Sequence, residues 1–147
     1  MTETFDVAHF EHLTTLLVWR HRRRFGQALD ALGLTLPQFL ALMFLQAQGG
    51  RCTMGDLAGA TDQCSATMTG IVDRLASMGL VERARAPRDR RSVFVGLTEE
   101  GEALLEKAKA GRVDRARQML SHFTPEEKQQ IQQFLVRYLA VLTDDAY

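Results

Sequence analysis

Val81-Glu82-Arg83-Ala84-Arg85-Ala86-Pro87-Arg88-Asp89-Arg90-Arg91-Ser92-Val93-Phe94-Val95 holds five arginines against one aspartate and one glutamate, in a chain of 147 residues whose formal net charge is zero. Leu80, Val81, Glu82 and Arg83 lead into the turn from Pro87 to Arg91, and Ser92, Val93, Phe94, Val95 and Leu97 lead out of it in near-alternation. That pattern predicts strand, tip and strand. The tip would present guanidinium groups to an anion.

Working outward from this hairpin, the helix starts are marked by hydroxyl side chains able to accept hydrogen bonds from unpaired backbone N–H groups. Thr35 precedes Pro37 and Gln38, Thr53 stands three residues before Asp56, and Thr98 precedes Glu99 and Glu100. Thr124 precedes Pro125, with Glu127 completing a capping box. The apolar spacing between these caps predicts helices at 6–32, 36–48, 54–60, 64–78, 98–120 and 125–143. Gly33, Gly49, Gly50 and Gly79 fall just after helix ends.

The order is therefore helix, helix, short helix, helix, hairpin, long helix, helix, with no internal repeat. It predicts a mostly α fold, a winged helix-turn-helix between two helical flanks. In such folds an arginine-tipped hairpin reaches a DNA groove beside a recognition helix. One domain, 1–147, is expected, with a DNA-binding lobe at 35–98 and flanks at 1–34 and 99–147.

Composition narrows the classes further. No run approaches the roughly 18 apolar residues of a membrane span, and the N-terminus lacks a basic segment followed by an apolar one. A cytoplasmic protein without membrane contact is expected. The two cysteines, Cys52 and Cys64, suit neither a disulfide framework nor a zinc site. Charge is uneven: residues 35–50 carry none, and residues 51–95 hold seven arginines against five acids. A neutral total thus leaves room for a local, salt-dependent affinity for nucleic acid.

Within the helix at 64–78, Met68, Ile71, Val72 and Leu75 form one apolar stripe directed at a core. Ser65, Thr67, Thr69 and Gly70 lie on the other side, where short side chains let the backbone approach DNA and hydroxyls can bond phosphates or base edges. Only Gln63, at the entrance, could make a bidentate adenine contact. Sparse base readout is expected, with DNA shape carrying much of the specificity.

Leu57-Ala58, Thr67-Met68-Thr69-Gly70-Ile71-Val72-Asp73-Arg74-Leu75, Gly79-Leu80-Val81, and Asp89-Arg90-Arg91-Ser92 running on to Leu97-Thr98-Glu99-Glu100-Gly101 together resemble the MarR family of bacterial transcription regulators. The resemblance covers nearly the whole chain in element order. It implies a homodimer joined by its terminal helices, bound to a near-palindromic operator on double-stranded DNA, usually a repressor released by a small molecule or an oxidant. By the same resemblance Arg91 is the wing arginine that enters the minor groove, and Asp89 orients the wing tip. Arg88 and Arg90 would contact phosphates, and Arg74 would reach phosphate or pair with an acid such as Asp89. The chain departs from the common pattern at Gly70, where relatives often carry a longer, frequently basic residue, and at Cys64, where a capping serine is frequent.

Peroxide-sensing members usually hold their reactive cysteine in the first helix, and this chain has none there. Cys64, at a helix N-terminus where the macrodipole lowers a thiol pKa, is the candidate redox residue; the plainer alternative is a small packed side chain. Apolar residues recur at helical spacing on the last helix (Ile131, Phe134, Leu135, Tyr138, Val141, Leu142) and on the first (Phe10, Leu13, Leu16, Leu17, Trp19). A partner chain is expected to cover them. His12, Leu16, Arg20 and Phe44 are the candidate effector pocket, mixing apolar surface with groups that could hold a small aromatic or anionic ligand. His9 and His12 could pair on a metal, but isolated surface histidines are commoner, and no metal or cofactor is expected. No nucleophilic triad, phosphate-cradling glycine loop or isolated carboxylate pair supports an enzyme. The alternative to a DNA-binding regulator is a winged helix used only for protein contacts, its basic tip meeting an acidic partner.

Overall fold

In the computed structural model, residues 5–61, 63–85 and 92–143 are described. Among them, six helices and three strands follow the order α1 (Val7–Asp30), α2 (Leu36–Ala47), β1 (Arg51–Thr53), α3 (Met54–Ala60), α4 (Ser65–Ser77), β2 (Val81–Arg85), β3 (Val93–Leu97), α5 (Glu99–Leu120) and α6 (Pro125–Thr143). The expected mostly α winged helix-turn-helix is the observed fold. The chain divides into two compact units, Met1–Lys109 and Ala110–Tyr147, with α5 running from one into the other.

The local rules act where the sequence places them. Thr35 and Gln38 form a reciprocal capping box: the Thr35 hydroxyl accepts from Gln38 N–H at 3.4 Å and Gln38 Oε1 accepts from Thr35 N–H at 2.9 Å. Thr53 caps α3 by accepting from Asp56 N–H at 3.1 Å. Thr124 and Glu127 build a second reciprocal box ahead of α6, at 3.2 and 2.8 Å. The first helix has a cap that sequence reading passed over, Asp6, whose carboxylate accepts from His9 N–H at 3.0 Å.

A left-handed stop ends α4. Gly79 adopts φ 73°, its N–H donates to the Ala76 carbonyl at 2.9 Å, and Leu80 N–H donates to the Leu75 carbonyl at 3.0 Å. This is a Schellman motif, and it turns the chain directly into β2. A β-branched or bulky residue at position 79 would be strained there.

The sheet is larger than the hairpin read from sequence. Its order is β1-β3-β2, antiparallel throughout, with Cys52 opposite Val95 on one side and Arg83 opposite Val95 on the other. Leu97 N–H adds a 2.7 Å bond to the Gly50 carbonyl. The hairpin is thereby tied to the turn that follows α2.

Under the sheet lies the core of the first unit. Phe39, Leu42 and Leu45 from α2, Leu57 from α3, Met68, Val72 and Leu75 from α4, Val95 from β3 and Leu105 from α5 are fully buried. Each stabilises by about 1.5 to 3 kcal/mol relative to exposure. Phe25 of α1 meets Phe39 edge-on at 5.1 Å. Leu29 is the only buried residue of α1, so most of that helix is left uncovered.

In the second unit, Phe134 and Tyr138 stack at 5.6 Å along α6. Phe134, Leu135, Val136, Leu139, Val141 and Leu142 are all exposed. On α1 the same is true of Leu13, Leu16, Leu17, Val18 and Trp19.

Candidate nucleic-acid interface

Helix α4 divides its residues as its periodicity demands. Met68, Val72 and Leu75 are buried and Ile71 is half-buried against the core, while Ser65, Thr67, Thr69, Gly70, Asp73 and Arg74 face solvent. The space that a side chain on Gly70 would occupy is open, with no atom within 4 Å. A flat, small, hydroxyl-bearing surface results. Two of its hydroxyls are engaged within the helix: Thr69 donates to the Ser65 carbonyl at 2.9 Å, and Thr67 Oγ1 lies 3.0 Å from Cys64 Sγ. Both oxygens keep acceptor lone pairs for an outside donor.

Cys64 is the N-cap of α4, exposed, and makes no side-chain cap hydrogen bond. The Thr67 hydroxyl beside its sulfur holds its thiol below the usual thiol pKa. Cys52 on β1 differs in kind: it is buried, and desolvation followed by the nearby Asp56 charge pushes its thiol up.

The strand beside α4 contributes an interaction that sequence reading missed. Arg83 Nη1 lies 2.6 Å from Asp73 Oδ1, and Arg83 Nη2 donates to the Thr69 carbonyl at 3.3 Å. One planar guanidinium therefore grips two successive turns of the helix. A partly exposed ion pair of this kind contributes only about 0.2 to 1 kcal/mol. It ties β2 to α4 at this level, beside the buried Leu80 and Val81 that pack the strand against the core. Val81, Arg83 and Arg85 alternate onto the same face of β2. Val81 is buried, Arg83 clamps the helix, and Arg85 is exposed at the strand end. On β1, the Arg51 guanidinium sits 4.7 Å above the Phe94 ring.

Arg74 lies exposed in the last turn of α4. It has no acid partner among the described residues; the neighbouring acid, Asp73, is taken by Arg83. Arg88, Asp89, Arg90 and Arg91 lie outside the described residues.

The candidate effector residues are not gathered in the same way. His12, Leu16 and Arg20 are exposed at four-residue spacing along α1, and Phe44 is half-buried in α2 against the core. No side-chain hydrogen bond or ion pair among the described residues joins any of these four. The unit is instead braced elsewhere: Gln46 Nε2 donates to Glu106 at 2.8 Å, and Lys109 bonds both Gln46 and Glu106. Among the described residues no group of three or more His, Cys, Asp or Glu side chains is placed to hold a metal ion. Nor is any helix there long and apolar enough to cross a membrane.

A helix-turn-helix with a sheet-anchored arginine hairpin defines a winged-helix regulator. Residues 32–92 match the family model described as "MarR family". The chain is 36% identical over 101 residues to an uncharacterized HTH-type transcriptional regulator, YsmB, of Bacillus subtilis, covering 69% of this chain and 68% of that one. It is 33% identical to the organic hydroperoxide resistance transcriptional regulator of the same organism, covering 74% and 76%. Among solved structures, a MarR family protein from Bacillus stearothermophilus superposes with a TM-score of 0.82 at 28% identity over 96% of this chain and all of that one. A point mutant of MepR from S. aureus, bound to an oligodeoxyribonucleotide, gives 0.71 at 25% identity over 95% of this chain and all of that one. BpsR of Bordetella bronchiseptica, in a structure addressing regulation of its DNA binding by 6-hydroxynicotinic acid, gives 0.66 at 31% identity over 90% and 98%. This chain belongs to the MarR family of transcriptional regulators.

Proposed function

We propose that this regulator acts as a homodimeric repressor, with α4 in the major groove of a near-palindromic operator and the arginines of the wing in the adjoining minor groove. The observation that carries the reading is the exposed small-residue face of α4 tied to an arginine-bearing strand by Arg83. Ser65, Thr67 and Thr69 approach base edges and phosphates, Arg74, Arg88 and Arg90 neutralise phosphates, Arg91 enters the minor groove, and Asp89 supports the tip. The oligodeoxyribonucleotide bound by the MepR mutant supports DNA as the partner.

The lobe at 35–98 is the DNA-reading part, and 1–34 and 99–147 supply dimer contacts. Exposed apolar rows on α1 and on α6 support this division, since a lone chain leaves them in water. A small aromatic or anionic effector, of the class of 6-hydroxynicotinic acid that regulates BpsR, would bind near His12, Leu16, Arg20 and Phe44 and favour a spacing of the recognition helices unsuited to the operator. Cys64 offers a second, oxidative route to release. Cytoplasmic residence without a membrane partner, and a binding rather than an enzymatic role, complete the reading.

Selection of bound duplexes from a random pool tests it. A site with twofold symmetry and half-sites about one helical turn apart is the expected product. In a gel-shift assay on that site, Arg91→Ala should cost most of the affinity. If the pool yields no enriched duplex, or Arg91→Ala binds as the wild type does, the protein-contact reading replaces this one.

A further inference from the structure

Two arginines of β2 share a face and differ in what surrounds them. Arg83 spends its fork on Asp73 and on the Thr69 carbonyl, at 2.6 and 3.3 Å. Arg85, two residues on, is exposed and has no carboxylate partner among the described residues. We infer that Arg83 is a positioning residue that meets no phosphate, and that Arg85 is a DNA-phosphate contact set by that positioning. The inference rests on the DNA-binding reading above.

The placement follows from the path of the chain. Because the backbone reverses at Gly79, β2 climbs alongside α4 toward the N-terminus of that helix. The Arg83 guanidinium meets the helix at Thr69 and Asp73. Two residues further along a strand advance about 6.6 Å, the rise of about four residues of helix. Arg85 therefore stands nearer than Arg83 to the first turn of α4. That is the end a recognition helix presents to the groove, where the flanking phosphates run. Glu82 and Ala84 alternate onto the opposite face, and Glu82 packs beside Gly96 rather than beside Arg85. No acid on β2 shares the face of the two arginines.

Salt dependence separates the two roles, because each phosphate neutralised adds close to one unit to the slope of log affinity against log salt. Anisotropy titrations over a salt series would use full-length protein and the duplex recovered by selection, with thermal unfolding run in parallel to verify folding. Arg85→Ala should reduce the slope by about one unit. Arg83→Ala should weaken binding with the slope unchanged. Arg83→Lys, which keeps the charge and loses the fork, should fail to restore affinity. A slope unaffected by Arg85→Ala, a slope lowered by Arg83→Ala, or full rescue by Arg83→Lys would overturn the inference. A wild-type protein that ignores the duplex at low salt would instead sink the DNA-binding reading itself.

Discussion

The backbone carbonyl of Leu80 occupies the space that a Cβ on Gly101 would need. Around this contact, Thr98 N–H donates to the same Leu80 carbonyl at 3.1 Å, the Thr98 hydroxyl donates to the Gly79 carbonyl at 2.7 Å, and Gly101 N–H donates to the Thr98 hydroxyl at 3.1 Å. The end of α4, the start of β2 and the first turn of α5 thus converge where only glycine fits.

Gly101→Ala should therefore destabilise the protein. Alanine has the higher helix propensity by about 1 kcal/mol, but the new methyl would also press on Leu97 Cδ1 at 2.9 Å and on a backbone carbonyl that cannot rotate away. Overpacking outweighs propensity, for a net loss of about 2 kcal/mol. A lowered urea midpoint is the expected result; a raised one would contradict the packing.

Thr35→Ala removes one side of the capping box on α2. The helix it opens supplies Phe39, Leu42 and Leu45 to the core, so fraying is transmitted to the whole first unit. Chemical denaturation should show a loss of about 1 kcal/mol. Thr35→Ser, which keeps the oxygen, should retain most of the stability.

The two thiols should separate under alkylation. Cys64 is exposed with its pKa lowered by the Thr67 hydroxyl, whereas Cys52 is buried with its pKa raised. A lowered pKa means that the thiolate persists to more acidic pH, so the rate profile for iodoacetamide at Cys64 should have its midpoint below that of an ordinary thiol. Thr67→Ala should move that midpoint upward. Mass spectrometry of the labelled peptides reads both sites; faster labelling of Cys52 than of Cys64 would refute the assignment.

The apolar rows of the terminal helices make oligomeric state a direct test. Leu135 and Leu142 on α6 are 44% and 61% exposed, so glutamate at either changes an isolated chain by no more than about 0.5 kcal/mol. Buried in a dimer, the same charges would be prohibitive. Sedimentation equilibrium of Leu135→Glu/Leu142→Glu should give a monomer where the unaltered protein gives a dimer. A double variant that remains dimeric would move the interface elsewhere.

Legibility in sequence followed the range of the interaction. Thr35, Thr53 and Thr124 could be read as caps because each acts within its own first turn. The stripe on α4 and the hairpin could be read because burial imposes a period. β1 could not: Arg51–Thr53 is too short to show alternation, and it becomes a strand only by pairing with Phe94, Val95 and Gly96. The Arg83 clamp stayed hidden for a related reason. An arginine in an arginine-rich stretch carries no mark of its partner, and Asp73 comes within reach only after the turn at Gly79 folds the strand back. The candidate effector residues are marked by composition alone: His12, Leu16 and Arg20 share one face of α1, and Phe44 lies half-buried in α2.

β3 is the middle strand, hydrogen-bonded on both flanks and fastened at its end to Gly50. The paired strands, as far as Arg85 and Val93, are thus held in one ladder with β1 and the turn after α2. A displacement of β3 would therefore have to strain the Leu97–Gly50 bond beside the C-terminus of α2 before the sheet could part from that helix.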